Sequence, residues 1–277
     1  MRGLEQQAKF PLWRECIGTY PATVIGVDLA GSERRPTGWA ALRGAVAQVR
    51  TLRTDAEILD ATLPLRPRIV SIDSPLSLPA SGIIRESERE LMALRVGVYP
   101  CLLPSMRALT HRGIALKLAL ESHGIQVIEG FPGAAQDALG IPRKKTSAPA
   151  LRQGLENFGL QIPDGKLTHH ELDAITAALI AQFFGKKRYH AFGAPGEVPI
   201  ITPLTTRRTA KLTSPNPATL RYAANYLALF HGIRLQAKGP TTIPDFPKRP
   251  ALRDWLYRFV TNAAISLDSS TNDGLYE

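Results

Sequence analysis

Cysteine is nearly absent from this chain: there are two, Cys16 and Cys101, among 277 residues, and neither belongs to a Cys-x-x-Cys pair. That excludes a disulfide scaffold and the common kind of structural zinc knuckle, and it points to a reducing compartment. Long apolar runs are missing as well. The most apolar stretch, residues 172–184, is interrupted by Asp173 and Gln182 and is shorter than the roughly 20 residues that a bilayer crossing requires. The first twenty residues carry Arg2, Glu5, Lys9, Arg14 and Glu15 with no apolar core of signal-peptide length, so a cytoplasmic location is expected. No internal repeat and no low-complexity segment is visible. With 44% hydrophobic and 21% charged residues, the chain can bury a sizeable core, which excludes disorder and fibrous architectures.

Acidic residues are scarce in one region. Residues 204–267 hold ten basic residues, among them Arg207, Arg208 and Lys211, against two acidic ones, within a chain whose formal net charge is +10. An excess of this kind favours a polyanionic partner. The composition turns to Thr, Arg and Pro at the same point, and two parts are expected: a domain over 1–203 and a basic, mainly helical extension over 204–277.

Residues 23–29 (TVIGVDL) form a short apolar run of β-branched type ending in an acid, the pattern of a buried strand. Residues 38–43 and 45–52, parted by Gly44, predict a strand meander. Thr54 and Glu57 have capping-box spacing and open a short helix, which Pro64 and Pro67 stop. Residues 68–73 (RIVSID) are again a buried strand ending in an acid, so the first half reads β-β-β-α-β. An exposed, charge-rich helix over 85–95 and a longer one over 105–122 follow, the latter closed by Gly124. A further strand, 125–129 (IQVIE), ends in an acid too. Residues 169–184 predict a helix with Leu172, Ile175, Ala178, Leu179 and Phe183 on one face, and residues 198–201 a last strand. In the extension, helices are expected over 216–232 and 250–267, with a strand possible at 233–237. The fold class is α/β.

Three predicted strands thus end on Asp28, Asp73 and Glu129, and a fourth acid, Asp173, lies early in an apolar helix. In α/β sheets the C-terminal strand ends open into the crevice where ligands bind, so acids from several strands converge there. Carboxylates brought together repel, and a divalent cation removes the conflict. Hard oxygen ligands suit Mg²⁺ or Mn²⁺, and a pair of such ions activates water and stabilises the leaving oxygen of a phosphodiester. A strand-ending acid has a second use, which is to cap the following turn. Asp173 fits that use less well, because an unpaired carboxylate among Leu172, Ala174 and Ile175 is costly to bury.

The strings Val24-Ile25-Gly26-Val27-Asp28-Leu29-Ala30-Gly31, Ser71-Ile72-Asp73-Ser74-Pro75-Leu76, Val127-Ile128-Glu129-Gly130-Phe131-Pro132-Gly133-Ala134, His170-Glu171-Leu172-Asp173-Ala174-Ile175-Thr176-Ala177-Ala178 and Gly193-Ala194-Pro195-Gly196-Glu197 resemble the bacterial and archaeal family called domain of unknown function 429. The resemblance covers residues 23–203. It implies a ribonuclease H-like fold, a five-stranded mixed sheet flanked by helices, and a nuclease acting on DNA or RNA. Acids on the first strand, the fourth strand and a late helix look more like the arrangement of Holliday-junction resolvases than that of ribonuclease H.

On this reading Asp28, Asp73 and Asp173 are the catalytic and metal-binding residues, with Glu129 as a further ligand. Arg85, in the charged start Arg85-Glu86-Ser87-Glu88, either stabilises a phosphate or belongs to a solvated helix face. Arg143-Lys144-Lys145 is either a phosphate clamp or a basic loop, and His170 either a proton shuttle or a surface residue. Two other classes compete. One is a nucleic-acid-binding protein without catalysis on the same fold. The other is a kinase or ATPase, since Asp28-Leu29-Ala30-Gly31-Ser32 is similar to an Asp-x-Gly-x-Thr phosphate loop; the second such loop that those enzymes need is not found.

Overall fold

The computed structural model describes residues 20–94, 96–143 and 147–203, together with the backbone of 209–212 and 234–237. The chain divides into two compact units, Met1–Pro203 and Leu204–Glu277. In the first, Val24–Asp28 (β1), Thr37–Arg43 (β2) and Val46–Leu52 (β3) form an antiparallel meander. Asp55–Thr62 (α1) follows, with Thr54 and Glu57 in the expected reciprocal cap, and the backbone N–H groups of Arg53 and Thr54 hold the Glu57 carboxyl below its ordinary pKa. The chain then returns as Ile69–Asp73 (β4), parallel to β1.

Glu86–Ala93 (α2) and Pro104–Glu121 (α3) lead to Gln126–Gly130 (β5), parallel to β4. Pro132–Leu139 (α4), Ala148–Asn157 (α5) and His169–Gly185 (α6) come next, then Tyr189–Phe192 (β6) and Ile200–Pro203 (β7). The sheet order is β3-β2-β1-β4-β5-β7-β6. It is the expected mixed sheet flanked by helices, with seven strands where five are expected, because β7 pairs with the far edge of β5 and β6 pairs antiparallel to it. No described helix is long and apolar enough to cross a membrane.

Alternation along the strands divides the core in two, as the pleat requires. Val24, Ala40, Leu42, Ile69 and Ile128 face α4, α5 and α6, while Ile25, Val27, Trp39, Val70 and Ile72 face α1 and α3. The one-sided face expected for α6 is corrected by the packing: every residue from Leu172 to Phe183 is buried, since the sheet lies on one side of the helix and α4 and α5 pack around it.

Contact between α6 and the sheet is close enough to need glycine. A Cβ on Gly26 would stand 2.0 Å from Ala174 O and 2.2 Å from Ala178 N, and one on Gly38 would stand 2.0 Å from His170 O. Both neighbours are backbone and cannot rotate away. Gly26→Ala is therefore expected to lower unfolding stability by about 3 kcal/mol or more, the upper range for overpacking, as read by urea denaturation. A loss below about 0.5 kcal/mol would show that the helix slides freely on the strand.

In the second unit, Thr209–Leu212 (β8) pairs in parallel with Arg234–Ala237 (β9). The helices expected over 216–232 and 250–267 lie outside the described residues.

Candidate active site

The parallel register of β1 and β4 pairs Asp28 with Asp73 directly, so two carboxylates leave neighbouring strand ends side by side. Helix α6 supplies the third acid. The Gly26 and Gly38 contacts fix its height and place its first turns above the same strand ends, and Asp28, Asp73 and Asp173 line one cleft of about 380 Å³.

Asp28 and Asp173 are also held by neighbours. His170 Nδ1 lies 2.6 Å from Asp28 Oδ2, a pairing in which the imidazole N–H donates and the carboxylate accepts. Gln136 of α4 donates from Nε2 to Asp173 Oδ1 at 2.8 Å and to Thr176 Oγ1 at 3.2 Å. Asp173 is thus a buried carboxylate with a donor facing it, which is what its apolar surroundings demand. Ser74 Oγ donates to Leu109 O at 3.1 Å and braces the turn after β4.

Glu129 sits in the same cleft with a different set of partners. Its Oε1 accepts from Arg85 Nη2 at 2.6 Å, and its Oε2 accepts from Arg85 Nη1 at 2.7 Å and from the Leu76 N–H at 2.8 Å. Glu129, expected as a further metal ligand, enters the cleft already paired, with both oxygens engaged by a bidentate arginine and a backbone donor. Arg85, expected either to stabilise a phosphate or to lie on a solvated helix face, is the partner in that pairing. That side chain is 1% exposed, it also donates from Nε to Glu88 Oε1 at 3.0 Å, and it is anything but a solvated helix face.

Burial alone would depress the Arg85 pKa, but Glu129 and Glu88 outweigh it and hold the guanidinium above its ordinary value. Burial pushes the Glu129 carboxyl up, against the pull of Arg85 and the Leu76 N–H. Burial, followed by the charge of Glu88, pushes the Cys101 thiol up to about 11, so this cysteine is a small buried apolar group at neutral pH rather than a nucleophile.

Arg143 lines the cleft and forms a two-point ion pair with Asp137, Nε to Oδ1 at 2.9 Å and Nη2 to Oδ2 at 2.5 Å. Lys144, Lys145, Arg207 and Arg208 lie outside the described residues, and Lys211 is a residue of β8. The string Gly193 to Glu197 holds α2 in place: Glu197 accepts from the Glu86 and Ser87 N–H groups at the helix start, and Gly193 N donates to Glu90.

Among the described residues, no group of three or more His, Cys, Asp and Glu side chains is gathered as a ready-made metal cluster. What the sequence does not show is the partnership of the acids. His170 and Asp28 are 142 residues apart, and Arg85 and Glu129 are 44 apart. One signal was present: glycine in the middle of an apolar strand, at Gly26, marks the close approach of another backbone.

No protein-family model and no curated protein matches the chain. Among solved structures it is similar to RuvC from Thermus thermophilus in complex with a Holliday junction substrate, at 17% identity and a TM-score of 0.39, over 64% of this chain and 99% of that one. A second structure of Thermus thermophilus RuvC is similar at 17% identity and a TM-score of 0.36, over 60% of this chain and 96% of that one. Neither likeness assigns an activity, and the α/β fold stands on the sheet order given above.

Proposed function

We propose that this protein is a divalent-metal-dependent nuclease that hydrolyses phosphodiester bonds of DNA or RNA. The observation that carries this reading is the convergence of Asp28, Asp73 and Asp173 from β1, β4 and α6 on one cleft. The donor chemistry fits Mg²⁺ or Mn²⁺, since all three are hard carboxylate oxygens. When bound, the cation would polarise the phosphoryl oxygen and lower the pKa of the attacking water.

The chain's own residues supply position. Asp28 and Asp73 are fixed by strand register, His170 orients the Asp28 carboxylate, and Gln136 orients that of Asp173. Such outer partners set the direction of a ligand's lone pairs. Arg85 and Glu129 neutralise each other within the cleft wall.

The test is cleavage of end-labelled single-stranded and duplex DNA and RNA by the full chain. Cleavage is expected in Mg²⁺ or Mn²⁺, is expected to stop in EDTA, and is expected to be lost in Asp73→Asn. Intact substrates under all conditions would overturn the nuclease. A second reading, a nucleic-acid-binding protein without catalysis, is favoured by the lack of a ready-made three-residue cluster among the described residues; retained binding with no cleavage would establish it.

A further inference from the structure

The lining of the cleft is chemically mixed: beside the acids it includes the apolar and aromatic side chains of Val98, Tyr99, Met106, Leu109 and Phe131, and Tyr99 is 69% exposed. An exposed aromatic ring is unremarkable on an open surface, but this one lies in the same cleft as three carboxylates. A phosphodiester backbone offers nothing to such side chains. A nucleobase does, because every base has an apolar face that stacks on an aromatic ring whatever its sequence.

We infer that this lining seats one unstacked nucleobase on Tyr99 while the attached phosphate lies toward Asp28, Asp73 and Asp173. The inference rests on the nuclease reading and adds its substrate class, which is a single-stranded or locally unpaired strand. Two features favour an unpaired strand at the site. Bases stacked in a duplex present their edges rather than their faces, so Tyr99 gains its contact only with a base taken out of the stack. A volume of about 380 Å³ is also in the range of a pocket that takes one small group.

The ion pair of Arg85 with Glu129 is consistent with this use. It compensates the charge that Glu129 would otherwise present in the lining of the cleft. Tyr99 is a binding residue on this account, and its loss is expected to act on affinity rather than on the chemical step.

The experiment uses the full chain and a single-stranded oligonucleotide carrying 2-aminopurine, bound in Ca²⁺ to suppress turnover. Stacking on Tyr99 quenches the fluorescence. Tyr99→Ala is expected to abolish the quench and weaken binding about tenfold, the size of one lost base stack, whereas Tyr99→Phe keeps both. An oligonucleotide with an abasic residue at the same position is expected to bind the unaltered protein as weakly as the intact strand binds Tyr99→Ala. Equal affinity for abasic and intact strands, or a Tyr99→Ala variant that quenches normally, overturns the inference. Duplex and single strand cleaved at equal rates overturns it too and leaves the nuclease standing. Quenching with no cleavage in Mg²⁺ or Mn²⁺ has the opposite meaning: the base site stands and the nuclease falls.

Discussion

Asp28→Asn is expected to remove Mg²⁺- or Mn²⁺-dependent cleavage by a factor on the order of 10³, the loss that follows when several kcal/mol of metal-borne charge stabilisation disappear from the transition state. Asparagine is nearly the same size as aspartate and keeps an oxygen that can accept from His170, so the 2.6 Å contact has a substitute. It also removes one of two carboxylates held side by side by strand register, which relieves repulsion when no cation is present. The variant should therefore unfold in urea at the same concentration as the unaltered protein or a slightly higher one. Asp60→Asn, on the exposed side of α1, is the control and should cut normally. An Asp28→Asn enzyme that cleaves at the original rate would take Asp28 out of the mechanism, and a variant that fails to fold would contradict the neutral stability expected here.

The parts of this molecule that could be read from sequence are those set by local pattern. β1, β4 and β5 are short β-branched runs closed by turn residues, and α6 combines length, apolarity and a capping box at Thr168 and Glu171. Where punctuation misleads, reading fails. Pro132 and Gly133, or Pro149 and Gly154, look like loop residues, yet both prolines occupy the first turn of a helix, α4 and α5, where a missing N–H costs nothing. β6 has only four residues, with no buried alternation to announce it.

The site divides in the same way. Acids at strand ends were visible because topology forces strand ends together. Whether an acid faces a cation or an arginine was not visible, because that depends on a side chain brought from another element. Arg85 and Glu88 share a helix start with Glu86 and Arg89, and composition cannot tell the buried pair from the exposed one. The difference lies in geometry: at the N-cap of α2, Arg85 turns under the helix toward β5, while Glu86 and Arg89 are half exposed.

Arg85→Met is expected to cost the described domain much of its stability. It leaves Glu129 and Glu88 buried and facing each other's charge without their common partner, and breaking a buried pair from one side typically costs about 3–5 kcal/mol. The pH dependence of that loss identifies its cause. With Arg85 gone, the opposition to burial is removed and the Glu129 pKa in the folded state rises further above its unfolded value. The folded variant then binds more protons than the unfolded one, so its stability falls as pH rises through the interval between the two values and is recovered below the unfolded value. Urea midpoints measured from pH 7 down to pH 4.5 should accordingly converge on those of the unaltered protein. Glu129→Gln in the Arg85→Met background should restore part of the stability at pH 7, since a neutral amide can still accept from the Leu76 N–H. If the Arg85→Met deficit is independent of pH and unaffected by Glu129→Gln, the arginine contributes packing of its aliphatic stem and not charge compensation, and the electrostatic account of this cleft wall is wrong.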